Sequence, residues 1–181
     1  MNKMTTYQLA VAALFTALMC IFGPIALPIG PVPISLTNLI IYIAVFLVGT
    51  KLGTLSYVVY LILGAIGLPV FSGYAGGLGK LSGPTGGYLI GFIPMAIISG
   101  IAVKKFMKKK YMIAILMVAA TLLDYALGTM WFVFMMKCEV WYALTVCVFP
   151  FLLGDAAKIV VAIILGSLIR GRLMKLGFIK E

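Results

Sequence analysis

The sequence predicts an all-α membrane protein of six transmembrane helices, with both termini cytoplasmic and a glycine-rich outer loop between helices 3 and 4. Three observations lead there. Of the 181 residues, 64% are hydrophobic and only 10% charged, and the mean hydropathy is +1.22, well above soluble globular composition. Apolar runs long enough to cross a ~30 Å hydrocarbon layer recur along the chain. Basic residues gather in alternate connections. Residues 1–181 are therefore expected to form a single membrane domain with little room for a soluble one.

In chain order the apolar runs are Thr5–Phe22, Ile34–Thr50, Leu52–Val70, Gly86–Val103, Met112–Met135 and Phe149–Ile169. The first follows Lys3 as a signal peptide would. No small-residue cleavage site closes it and further spans follow, so it is read as a mature helix. With the N-terminus inside, the inner ends carry Lys3, Lys51, Lys104, Lys105, Lys108, Lys109, Lys110, Arg170, Arg172, Lys175 and Lys180, eleven in all, against two, Lys80 and Lys137, outside. The net charge of +10 follows from this asymmetry, and no nucleic-acid partner is needed to explain it. The run "KKFMKKK" reads as a solvated inner loop, with contact to lipid headgroups as the alternative.

Several chemistries are excluded or disfavoured. The chain has no His, and Cys20, Cys138 and Cys147 form no CxxC, so neither a metal nor a haem is expected. No Cys138–Cys147 disulfide is expected either. A GxxxxGK[ST] loop, a GxSxG elbow and an HExxH pair are all missing, so the chain has no visible means of hydrolysing ATP and does not read as an enzyme. No cofactor is expected. Paired halves with matching broken helices, the mark of many secondary transporters, are not visible.

Ionisable residues inside apolar spans are costly and start as functional candidates. Here they are Asp124, Asp155 and Lys158. At ~1.5 Å per residue from the basic inner anchors, they rise roughly 21, 22 and 18 Å, similar heights in the outer half of the bilayer. Asp155 and Lys158, three apart, share a helix face and would offer an acceptor and a cationic donor to one cavity. Two plainer roles compete: Asp155 follows Pro150 and Gly154 and would serve as a helix cap, and Lys158 would be neutralised by either aspartate. Asp124, in line with Gly128 and Trp131, is assigned the pairing role.

The stretch "GGLGKLSGPTGGYLIGF", residues 76–92, holds seven glycines, a proline and Lys80. Residues 71–87 read as too irregular for a helix and too polar for lipid. Irregular backbone at membrane depth persists where it lines a wet cavity or is buried in protein, and glycine lets backbone amides approach a ligand. A cradle for a polar headgroup and an ordinary solvated hairpin both fit this composition. The segment "GPIALPIGPVP" before the second span suits either a lid or an inert turn.

"GLPVFSGYAGGLGKLSGPTGGYLIGF", "LPIGPVPISLTNLI" and the later "PFLLGDAAK" together resemble the BioY family, the biotin-binding S component of energy-coupling factor (ECF) transporters. The resemblance spans nearly the whole chain, and "GPTGGY" with GDxxK is its most specific part. It implies a multi-pass protein of the prokaryotic plasma membrane that captures biotin outside. Its partners would be a membrane-embedded energy-coupling subunit and two cytoplasmic ATPases. A stand-alone biotin carrier is the alternative. The ligand-binding residues implied are Asn38, Tyr74, Gly77, Lys80, Tyr88, Asp155 and Lys158, with glycine-loop amides and Asp155 on the ureido ring and Lys158 or Lys80 on the carboxylate. Ala13 and Ala17, an AxxxA pair in the first span, are implied as the contact to the membrane partner, since small residues four apart let helices approach closely.

Overall fold

A computed structural model describes residues 5–27 and 32–175. Lys3, Lys180 and the middle of "GPIALPIGPVP" lie outside the described residues. The helices are α1 (Thr6–Phe22), α2 (Thr37–Ala65), α3 (Leu78–Leu81), α4 (Gly86–Phe106), α5 (Lys110–Met136), α6 (Val140–Cys147) and α7 (Phe149–Lys175). The predicted helical class holds, with one small addition. Strands β1 (Ala26–Leu27) and β2 (Ile34–Ser35) pair antiparallel, Ala26 opposite Ser35.

α2, α4, α5 and α7 are each long and apolar enough to cross a membrane, and α1 is a shorter apolar helix of 17 residues. The expected second and third spans are both contained in α2. Within it Gly49 has φ 81° and ψ 174°, a non-helical conformation that glycine alone adopts without strain. The chain reverses there. A Cβ placed on Gly53 would lie 3.0 Å from the Val45 backbone nitrogen, whereas eight residues along a straight helix would separate them by about 12 Å. α2 is thus a helical hairpin with arms 37–48 and 50–65, and the break expected at Lys51, between spans ending at Thr50 and starting at Leu52, falls two residues earlier, at Gly49.

Other boundaries shift for local reasons. The second arm stops at Ala65, short of the expected Val70, because Gly67 takes φ 108° and Pro69 follows. The loop expected to be helix-free contains the single turn α3, and α6 was not anticipated, since an eight-residue apolar run between two spans is too short to read as a crossing. Pro150 sits in the first turn of α7, where a missing N–H costs little.

The packing is that of a body meant for hydrocarbon. Leu153 is 86% exposed and Phe134 77%, a surface that water would penalise heavily and lipid tails do not. Between helices, several buried hydroxyls find partners, whereas those of Thr50, Thr54 and Ser99 have none among the described residues. Thr16 Oγ1 donates to the Ser56 carbonyl at 3.0 Å and Ser56 Oγ to the Ala12 carbonyl at 3.0 Å, tying α1 to the second arm of α2. Tyr57 Oη donates to the Leu89 carbonyl at 2.5 Å, joining that arm to α4, and Tyr42 Oη and Thr121 Oγ1 lie 2.7 Å apart between the first arm and α5.

The Gly49 conformation yields a prediction with an internal control. Gly49→Ala should destabilise the protein by about 1–3 kcal/mol because no side chain sits easily at that φ/ψ. Gly154→Ala, in mid-helix with open space around it, should be neutral or stabilising by up to ~1 kcal/mol. Thermal unfolding in detergent compares the two, and equal stability of both variants would contradict the hairpin argument.

Candidate functional site

The starts of both α4 and the first arm of α2, the β2 strand, the later half of α5 and the second turn of α7 meet at one end of the bundle. Asp155 and Lys158 lie one turn apart on α7. Lys158 Nζ donates to Asp155 Oδ1 at 2.8 Å and to the Ser35 carbonyl at 2.8 Å. Asn38 Nδ2 donates to the same Asp155 oxygen at 2.8 Å, and Tyr125 Oη donates to Oδ2 at 2.5 Å. Three elements are therefore joined through one carboxylate, and Lys158 links a fourth, β2. The ion-paired side chains are only 11% and 8% exposed for Lys158 and Asp155, so their attraction is little screened and their desolvation is severe.

This pair borders a narrow cavity of about 60 Å³. Polar groups on its wall include Ser35, Asn38, Thr85, Asp124 and Tyr125, and its aromatic faces are Tyr88, Phe92 and Phe151. Two glycines set the wall between α4 and α5. A Cβ on Gly128 would strike the Tyr88 ring at 2.2 Å, and one on Gly91 would strike Asp124 Oδ1 at 2.2 Å. Tyr88 Oη and Thr129 Oγ1 lie 3.0 Å apart, which fixes the ring's tilt.

Of the residues implied as ligand contacts, the structure brings Asn38, Tyr88, Asp155 and Lys158 to this cavity, while Tyr74, Gly77 and Lys80 do not line it. Tyr74 is 70% exposed on the glycine-rich loop. The Gly77 N–H donates to the Gly64 carbonyl at 2.7 Å and the Lys80 N–H to the Gly77 carbonyl at 3.1 Å. Amides expected to face a ligand are thus spent on α2 and on the loop's own turn. Trp131 Nε1 holds the loop from α5 by donating to the Gly83 carbonyl at 2.9 Å. The loop enters the wall through its two ends, Ser72 and Thr85.

Two readings of the charged residues need correction. Asp155 is not a helix cap, since α7 begins six residues earlier at Phe149. Asp124 is not the partner of Lys158: its Oδ1 is buried with no hydrogen-bond partner, and the ion pair goes to Asp155. Cys20, Cys138 and Cys147 are free thiols. Sequence reasoning missed Tyr125, Ser35, Ser72 and Thr85. For Tyr125 a signal existed, because a tyrosine buried in an apolar helix requires a partner for its hydroxyl.

Residues 1–175 match the BioY family along essentially the whole chain. The chain belongs to the BioY family. A BioY-family relative named biotin transporter BioY, from Thermotoga maritima, is 40% identical over 93% of this chain and 96% of its own length. A probable biotin transporter BioY from Pyrococcus horikoshii is 36% identical over 93% of this chain and 99% of its own. Among solved structures, the S-component for biotin from an ECF-type ABC transporter superposes with a TM-score of 0.84 at 30% identity, covering 93% of this chain and 95% of that one. These BioY relatives are transporters, and this BioY-family chain, with its apolar helices, is a multi-pass protein of the prokaryotic plasma membrane.

The cluster makes a stability prediction that involves no ligand. Lys158→Met leaves Asp155 buried and short of its cation, and should destabilise the protein by about 3–5 kcal/mol. Adding Asp155→Leu to Lys158→Met should recover at least half of that loss. Thermal unfolding of the two variants decides it; a double variant no better than the single one would show that the pair is not the anchor described.

Proposed function

We propose that this protein is the biotin-capturing S component of an ECF-type importer. It takes the vitamin from the extracellular side and releases it inward when an ATP-driven partner acts, with no covalent change to biotin. The single observation that carries this is the buried Asp155–Lys158 pair in a cavity walled by aromatic rings, within a chain whose relatives are named biotin transporters. Biotin matches those groups. Its ureido ring offers two N–H donors and a carbonyl, its valerate ends in a carboxylate, and its thiophane is apolar. Lys158 has three donors and uses two, leaving one for the ligand's carboxylate. Asn38 and Thr85 supply neutral polar contacts, and Tyr88 and Phe92 supply flat apolar ones. Tyr74, Gly77 and Lys80 are assigned to the rim rather than to first contact.

In this reading residues 1–181 form one domain of six crossings: α1, the two arms of α2, α4, α5 and α7. Charge placement supports it. Lys51 at the hairpin, Lys104 and Lys105 ending α4, Lys110 starting α5, and Arg170, Arg172 and Lys175 ending α7 all belong to the end opposite the cavity. The positive-inside tendency then puts both termini in the cytoplasm and the cavity and glycine-rich loop outside. Ala13 and Ala17 are exposed on α1 and lie in an apolar groove with Leu9, Leu55 and Val59 from the second arm of α2. That groove is the proposed seat of the membrane-embedded coupling subunit, which in turn would be driven by two cytoplasmic ATPases.

Calorimetric titration with biotin in detergent tests the site: the parent should bind tightly, and Asp155→Asn and Lys158→Ala should each lose at least ~1.5 kcal/mol of binding free energy. Unchanged affinity in both would defeat the assignment. Ala13→Leu with Ala17→Leu should leave biotin binding intact and abolish uptake in cells that supply the energising module, because two added side chains keep the helices apart. Uptake that survives both substitutions, or that needs no module, would argue against coupling through this groove.

A further inference from the structure

The end of the bundle opposite the Asp155 cluster carries a second cavity, of about 470 Å³, at the tip of the α2 hairpin. Gly49 and Thr50 form part of its wall, α4 presents Gly100, Val103, Lys104 and Met107 to it at helical spacing, and Arg170 reaches it from α7. Two cations therefore share this wall with no carboxylate on it. Among the described residues the single ion pair is Asp155–Lys158 at the far end, where Asp124 and Glu139 also belong. Glu181 lies outside the described residues.

Arg170 is the informative side chain. An arginine in the last turns of a membrane helix ordinarily extends its head into water. Here Nη1 donates to the Phe46 carbonyl at 2.9 Å, which turns the guanidinium across the bundle towards the first arm of α2. Close packing allows that reach, since a Cβ on Gly166, one turn before Arg170, would lie 2.6 Å from the Phe46 ring. The Phe46 carbonyl takes one of five guanidinium N–H groups, and Nε is closed off without a partner. Terminal N–H groups remain, and together with Lys104 on the same wall they suit the oxygens of an anion. The other wall residues say which kind. Val45, Val48, Val103 and Met107 are apolar, and the cavity lies where Lys105 and Arg172 mark the helix ends, the level of lipid headgroups. A free phosphate gains nothing from apolar walls; a phosphodiester carrying acyl chains gains from both.

We propose that this cavity binds the phosphodiester headgroup of an anionic phospholipid, with Arg170 and Lys104 on its phosphate oxygens and the tip of the α2 hairpin as its floor. The lipid belongs to the leaflet at the basic end, the cytoplasmic one in the orientation given above, and the proposal does not depend on the biotin reading. One phosphate bridges α4 to α7 at a place where the protein's own polar link is the Arg170 bond to the hairpin's first arm.

Native mass spectrometry of the intact protein in detergent, titrated with phosphatidylglycerol, phosphatidylcholine and inorganic phosphate, tests this. The parent should hold phosphatidylglycerol roughly tenfold more tightly than phosphatidylcholine, whose ammonium would face two cations. Arg170→Gln should weaken phosphatidylglycerol by about tenfold and Lys104→Gln by less, because a guanidinium grips phosphate through more than one N–H. Lys105→Gln and Arg172→Gln remove the same charge from residues off this wall and should change the affinity by less than about twofold. An equal loss in all four variants would reveal diffuse attraction to the basic end and overturn the proposal. So would equal affinity for phosphatidylcholine, or displacement of the lipid by inorganic phosphate at matching concentration. A second measurement needs no variant: phosphatidylglycerol with a photoreactive group beside its phosphate should label the wall segments of α4 or α7. Labelling confined to the Lys108–Lys110 connection would overturn the site.

Discussion

The constraint on which the rest of this structure depends is the desolvation of one carboxylate. Asp155 is only 6% exposed, so its charge must be met largely by protein donors. Those donors come from the first arm of α2, α5 and α7 itself, and the α7 donor, Lys158, also reaches the Ser35 carbonyl of β2. An ion pair this buried adds little net stability over a well-packed apolar alternative. What it does supply is a fixed mutual position for four elements that otherwise meet through interchangeable apolar contacts. Apolar packing in lipid is weakly directional, because the surrounding tails are as apolar as the core. Specific placement has to come from groups like these.

Helix contacts elsewhere are consistent with that division. α4 and α5 approach closely where Gly91 and Gly128 meet Asp124 and Tyr88, and the cavity wall lies between those contacts. On the other side, Thr16 and Ser56 clasp α1 to the second arm of α2 through backbone carbonyls. Ala13 and Ala17 consequently point away from the bundle while α1 remains held. The hairpin at Gly49 connects the arm that carries Asn38 to the arm that carries Ser56. The binding cluster and the small-residue groove are thus two faces of one hairpin.

Much of this was legible in the sequence, and the reasons are physical. A transmembrane helix must satisfy its backbone internally, so hydropathy and basic flanks locate the long helices with little interference from distant residues. GDxxK was legible for the same reason, since three-residue spacing puts two ionisable groups on one helix face wherever the helix packs. The pairing of Lys158 was not, because which aspartate reaches it depends on the rotation of α5 against α7. That rotation is set by contacts such as Gly128 on Tyr88, which no single segment encodes. Ser72 and Thr85 escaped notice because glycines dominate the loop's composition, while its two ends do the lining. Tyr74, Gly77 and Lys80 drew attention by their residue type alone, and the loop's own hydrogen bonds turn its amides inward.

The narrowness of the cavity bears on how such a protein would handle its ligand. At about 60 Å³, the cavity would admit a bicyclic vitamin, on the proposed reading, only if side chains or the glycine-rich loop moved. The ion-pair cluster is a poor candidate for that movement, because each of its donors would have to give up a buried partner. The loop is a better one. Its ties to the rest of the chain, Trp131 to the Gly83 carbonyl, Gly77 N–H to the Gly64 carbonyl and Gly73 N–H to the Pro24 carbonyl, are neutral hydrogen bonds, each worth about 1 kcal/mol net, and Tyr74 is already exposed. On the proposed biotin reading, entry would displace the loop over a rigid floor, with the charged groups already arranged for the ligand before it arrives. Preorganisation of that kind lowers the ordering cost of binding, and it locates the give in this structure at glycine rather than at charge.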